Sequence, residues 1–138
     1  MVFKNFFHNY VMIINGVQHI SPNEAYKLCM KGAIIVDVRE DYLNTFKTFD
    51  VPLLICFPFS ELKNRWNELS VDLPLIFADS VGLYSHEAVD FMLEKGFVQV
   101  ANMAGGIVDW EKDGLPLKIN TKERLSGSCM CQLKPREK

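Results

Sequence analysis

Short apolar runs alternate with amphipathic stretches along most of the chain. The first clear element is a helix. Ser21 fits its N-cap, Pro22 suits the first helical position, and Glu24 completes a capping box with Ser21. Ala25, Leu28 and Cys29 form its apolar stripe, and Gly32 ends it. Residues 33–38 then form a near-continuous apolar run, the pattern of a strand covered on both faces of a parallel sheet. A second strand is predicted at 53–57, followed by a short helix capped by Ser60, with Leu62 and Trp66 facing inward. Residues 74–78 form a third strand that ends at Asp79, and a helix runs from about Ser85 to Lys95 before Gly96 stops it. A fourth strand covers 97–103. Gly105 and Gly106 turn the chain into a helix carrying Ile107, Val108 and Trp110, closed by Gly114, Leu115 and Pro116. Residues 17–20 add an edge strand, and residues 118–138 show no helical or strand period. Strands alternating with short helices predict a single-domain α/β fold: a small parallel sheet built from right-handed βαβ units, with helices on both faces.

Composition narrows this picture. A chain of 138 residues makes about one domain. At 49% apolar and 23% charged residues it excludes a disordered or fibrous chain. The longest apolar run, residues 51–59, contains two prolines and falls far short of the ~20 residues of a membrane-spanning helix. A net charge of −2 points away from nucleic acid. Charge is uneven, however: residues 122–138 carry Lys122, Arg124, Lys134, Arg136 and Lys138 against Glu123 and Glu137. The N-terminus has no signal-peptide core, because Asn5, His8 and Asn9 break it, so the chain is expected in the cytoplasm without structural disulfides.

Chemistry is expected first in the loop after the third strand, since ligands of open α/β sheets sit outside the carboxyl ends of strands. There Asp79, Ser80, Val81, Gly82, Leu83, Tyr84 and Ser85 lead into a helix. A loop of this length with a central glycine can turn successive N–H groups inward. With the positive end of the helix dipole they make an anion cradle. His8, His19 and His86 share no spacing that suggests a metal site, and no cofactor is expected.

Several segments, in order, resemble the rhodanese-like domain, a small α/β fold used by sulfurtransferases. They are Ile20-Ser21-Pro22-Asn23-Glu24-Ala25, Val36-Asp37-Val38-Arg39-Glu40, Pro74-Leu75-Ile76-Phe77, Gly82 with Ser85, Lys95-Gly96-Phe97, and Met103-Ala104-Gly105-Gly106-Ile107-Val108-Asp109-Trp110. The resemblance covers residues 17–117 and leaves 1–16 as an N-terminal extension and 118–138 as a tail. It implies a loop that opens with a cysteine, whose thiolate accepts sulfur as a persulfide inside the cradle. Asp79 stands at that position, and Tyr84 stands where the family often carries an anion-binding arginine. The Gly-His-Ile-Pro-Gly-Ala stretch usual before the second strand is replaced by Phe49-Asp50-Val51-Pro52-Leu53. The resemblance therefore carries the fold, and thiosulfate sulfurtransferase activity through this loop does not follow. It also implies that Asp37 and Arg39 form a structural ion pair or backbone clamp.

Asp79 has two readings. As an inert replacement, its carboxylate accepts the inward N–H groups, and the domain is a binding or regulatory module for a protein or for a small anionic or sulfur-bearing ligand. As a nucleophile it would act like an aspartyl-phosphate residue, but Ser80-Val81-Gly82 supplies no second carboxylate for a metal. The other suggestive segment is the tail, where Cys129 and Cys131 flank Met130 among small and cationic residues. These thiols could be reactive, carry sulfur, hold a soft metal such as Cu(I) or Zn(II), or be incidental. Cys29 and Cys56 read as core residues, because an unmodified cysteine packs as a small hydrophobe.

Overall fold

The computed structural model describes residues 12–14, 16–40 and 46–119. A six-stranded sheet forms the centre. In chain order its strands are β1 (Met12–Ile14), β2 (Val17–Ile20), β3 (Ile34–Asp37), β5 (Leu54–Cys56), β6 (Leu75–Ala78) and β7 (Val100–Met103). Across the sheet they run β1-β2-β7-β6-β3-β5. Five strands are parallel, and β1 alone pairs antiparallel, with Met12 opposite His19. Residues 17–20 are therefore not the edge: β1 covers them on the outer side. A second sheet of two strands, β4 (Lys47–Phe49) and β8 (Leu117–Ile119), was not expected. It places Lys118 and Ile119 in a strand, with Phe49 opposite Leu117.

Helices α1 (Pro22–Cys29) and α4 (Gly106–Lys112) cover one face of the large sheet, and α2 (Phe59–Arg65) and α3 (Leu83–Glu94) cover the other. Each face has its own core. Ile20, Leu28, Ile35, Ile76, Met103 and Trp110 are buried on the first. Val36, Leu62, Phe77, Val89, Met92 and Phe97 are buried on the second. Strands β3, β6 and β7 are buried at every position, as strands enclosed between two helix layers must be. The edge strand β5 is only half-buried, and Cys56 with it, so Cys56 is not a core residue.

Local chemistry explains the helix starts unevenly. At α1 the Ser21 Oγ accepts the Glu24 N–H at 3.2 Å, and Glu24 Oε1 accepts the Ser21 N–H, closing the capping box. At α2 the start is Phe59, not a Ser60 cap. The Glu40 carboxylate accepts both the Ser60 N–H (3.1 Å) and the Ser60 hydroxyl (2.9 Å), which replaces the missing cap. Leu62 is buried beneath it, whereas Trp66 lies in a short 3-10 turn, half-buried against Phe97. Val108 lies on the outer side of α4, 47% exposed. No helix among the described residues is long and apolar enough to cross a membrane.

Candidate functional site

The carboxyl end of β6 delivers Asp79 into the loop, 3% exposed. Its carboxylate collects three backbone donors. The Gly82 N–H donates to Oδ1, and the Tyr84 and Ser85 N–H groups donate to Oδ2 at 2.7 and 3.2 Å. Gly82 is the N-cap of α3 and has no side chain to offer, so the helix starts at Leu83, two residues before the Ser85 start expected from sequence. Tyr84 and Ser85 occupy the second and third helical positions, whose N–H groups have no partner inside a helix. Asp79 therefore caps α3 from outside it, placing negative charge at the positive end of the dipole.

The main chain of the same loop caps a second helix. Asp79 O accepts the Ile107 N–H at 2.9 Å, and Ser80 O accepts the Val108 N–H at 3.1 Å. This close approach needs glycine at two places. A Cβ on Gly106 would meet Asp79 O at 2.4 Å, and Gly82, at φ +96°, would bring one to 3.1 Å from Gly105 N. Val81, Leu83 and Tyr84 project outward, at 51%, 69% and 60% exposure, and the Tyr84 ring packs against Phe59.

Behind the carboxylate runs a buried polar chain. Ser85 Oγ bonds to Asn102 Oδ1 and lies 3.5 Å from Asp79 Oδ1. The Asn102 side-chain nitrogen lies 3.1 Å from His19 Nδ1, and the His19 and His86 rings meet at a tilt of 36° with centroids 5.1 Å apart. Burial first, and then the neighbouring His86, hold the His19 imidazole below its ordinary pKa. Asn102, His19 and His86 border an open groove of about 750 Å³ beside the loop. Sequence spacing set His19 and His86 aside as a metal pair and did not single out Asn102. One signal was present: Asn102 is a polar residue in the otherwise apolar run of β7.

Asp37 and Arg39 lie outside this groove. Arg39 donates from Nε to Asp37 Oδ1 at 3.0 Å and from an Nη to Oδ2 at 2.7 Å, and its guanidinium also donates to Lys47 O at 2.8 Å. The pair ties the end of β3 to β4, with Asp37 fully buried. Cys29 lies in the first core, and burial pushes its thiol up to about 12. Cys129 and Cys131 lie outside the described residues.

Comparison with known proteins fits this architecture. The family model of the Rhodanese-like domain matches residues 21–113. The chain is 28% identical over 104 residues to the thiosulfate sulfurtransferase GlpE of Haemophilus influenzae (strain PittEE), covering 72% of this chain and 93% of that protein. It is 28% identical over 116 residues to rhodanese-like domain-containing protein 17 of Arabidopsis thaliana, covering 75% and 74%. Among solved structures, a rhodanese-related protein from Thermoplasma volcanium superposes with a TM-score of 0.65 at 27% identity, over 74% of this chain and 98% of that one.

Proposed function

Since the chain belongs to the rhodanese-like domain family, we propose that it serves as a non-catalytic binding or regulatory module built on that fold. The observation that supports this is the filled cradle. The N–H groups of Gly82, Tyr84 and Ser85, suited to hold the negative charge of a sulfur-loaded thiolate, already bond to the Asp79 carboxylate. A carboxylate holds no sulfane sulfur, and its lone pairs are committed to the loop, which also disfavours Asp79 as a nucleophile. The module spans residues 17–117 and acts in the cytoplasm on a protein or a small sulfur-bearing ligand. The exposed Val81, Leu83 and Tyr84 supply apolar contact beside the loop.

The test is sulfur transfer. Offered thiosulfate with cyanide, and then a persulfide donor, the purified protein is expected to show no turnover and no mass gain of one sulfur. Asp79→Cys is expected to gain that sulfur at residue 79, because backbone donors and a helix N-terminus lower a thiol's pKa. Turnover in the parent chain that disappears in Cys129→Ser or Cys131→Ser would overturn the reading in favour of sulfur chemistry in the tail.

A further inference from the structure

The outer ridge of α3 is acidic. Leu83, Glu87, Asp90 and Glu94 are all exposed, and their intervals of four, three and four residues put them in one line along the helix. Like charges three and four residues apart weaken a helix, and a cationic partner reverses that cost. The ridge begins at the groove, where Leu83 and Glu87 share the wall with Val81 and Tyr84. Val81, Leu83 and Tyr84 are exposed apolar side chains. This surface suits a segment that is apolar at one end and cationic at the other. We propose that residues 120–138 of the same chain are that segment, lying across the loop and along α3.

Three observations converge on this occupant. The first is chemical match. Residues 120–138 carry Leu125, Met130 and Leu133 ahead of Lys134, Arg136 and Lys138. The three cations alternate, and an extended chain puts alternate residues on one face. They span about 13 Å there, at ~3.3 Å per residue. The three carboxylates from Glu87 to Glu94 span about 10 Å, at ~1.5 Å per residue of helix. Pro135 favours the extended form, because it holds Lys134 out of the helical region.

The second is where the chain leaves the small sheet. Ile119 ends β8 opposite Lys47, and the Arg39 guanidinium, just past the carboxyl end of β3, donates to Lys47 O. Residue 120 therefore starts from the end of the large sheet that also carries the loop. The third is reach. β6, which delivers the loop, adjoins β3, and β7 and β2 follow with the far wall of the groove. Three strand spacings make about 14 Å, and the ten residues 120–129 extend to ~33 Å. The groove and α3 thus lie within reach of residues 125–138. Docking goes beyond the function proposed above, since it does not depend on whether residue 79 or the tail handles sulfur.

The test places a nitroxide on Cys131 of the full chain carrying Cys56→Ser and Cys129→Ser, with Cys29 buried in the core. The amide NMR signals of Val81, Leu83, Tyr84 and Glu87 are expected to broaden, while those of α1, on the other face of the sheet, stay sharp. The broadening is expected to be lost when Lys134→Glu, Arg136→Glu and Lys138→Glu are combined. It is also expected to be lost at about 1 M salt, where the screening length is ~3 Å. Adding Glu87→Lys, Asp90→Lys and Glu94→Lys to the reversed tail is expected to restore it. Broadening that survives reversal of the tail charges, or that covers α1 as strongly as α3, would overturn the proposal. So would broadening in a mixture of nitroxide-labelled and isotope-labelled chains, the sign of a second copy as the occupant. Should the α3 substitutions unfold the helix, the reversed tail and the mixture decide the matter.

Discussion

The side chain of Asp79 and its main chain act on different helices. Removing the side chain leaves the Gly82, Tyr84 and Ser85 donors without their acceptor. Asp79→Ala is therefore expected to cost about 2–3 kcal/mol, the scale of a hydrogen bond to a charged group lost from a buried site. Asp79→Asn keeps one oxygen and is expected to cost less, a ranking that urea denaturation of the three proteins checks. Cys29 gives a second prediction at this scale. Its thiol stays neutral in the fold up to about 12, whereas an unfolded chain ionises it from its ordinary value of 9.0. The unfolded state is therefore favoured as pH rises above that value, and not below it. The denaturation midpoint is expected to fall between neutral pH and about pH 10.5, and to fall less in Cys29→Ala. At neutral pH the folded protein should leave Cys29 unalkylated by iodoacetamide, as intact mass and peptide mapping would report. Asp79 could be placed in a cradle from sequence because its site follows from the end of one strand and the start of one helix. His19 and His86 could not be paired, because their contact exists only once β2 lies two strands from β6 and α3 folds back across the sheet.

Elements whose signals are local were legible, and elements that exist through pairing were not. The capping box at α1, the near-continuous apolar run of β3 and the unbroken one of β6 announce themselves within a few residues. The strands β1, β4 and β8 are three residues each, too short to show a period, and only their partners make them strands. The α2 start was misplaced because its cap comes from Glu40, distant in sequence. At α4 the sequence showed two glycines and a turn, and the structure adds the reason for the second. Gly106, at φ +61°, sits where a side chain would enter the Asp79 and Ser80 backbone. Gly106→Ala combines that overlap with a strained dihedral, and is expected to destabilise by about 3 kcal/mol, the upper end of ordinary overpacking. Gly114→Ala, with open space around it, is expected to cost only its backbone strain. Thermal melts of the two variants side by side would show whether the close approach is the cause.

Across the whole molecule, two cores flank one sheet, and they do not weigh equally on the two tryptophans. Trp110 is fully buried between Tyr26 and Phe49, and its indole N–H donates to Pro116 O at 2.7 Å, joining α4 to the small β4–β8 sheet. Trp66 is half-buried at the margin of the other core, with Lys95 over its ring. Trp110→Ala is expected to cost about 3–5 kcal/mol, and Trp66→Ala distinctly less, which denaturant midpoints and Tm would check. Sequence pattern predicted the layers, but not this asymmetry, since both tryptophans sit at comparable points of an amphipathic segment. The shared capping by residues 79 and 80 carries a different consequence at this scale. The amides of Ile107 and Val108 are closed by carbonyls of the loop rather than by their own helix. They can exchange with deuterated solvent only when the loop swings away or α4 unwinds. Their exchange rates are therefore a built-in clock for loop opening, read from α4 without placing any probe in the groove.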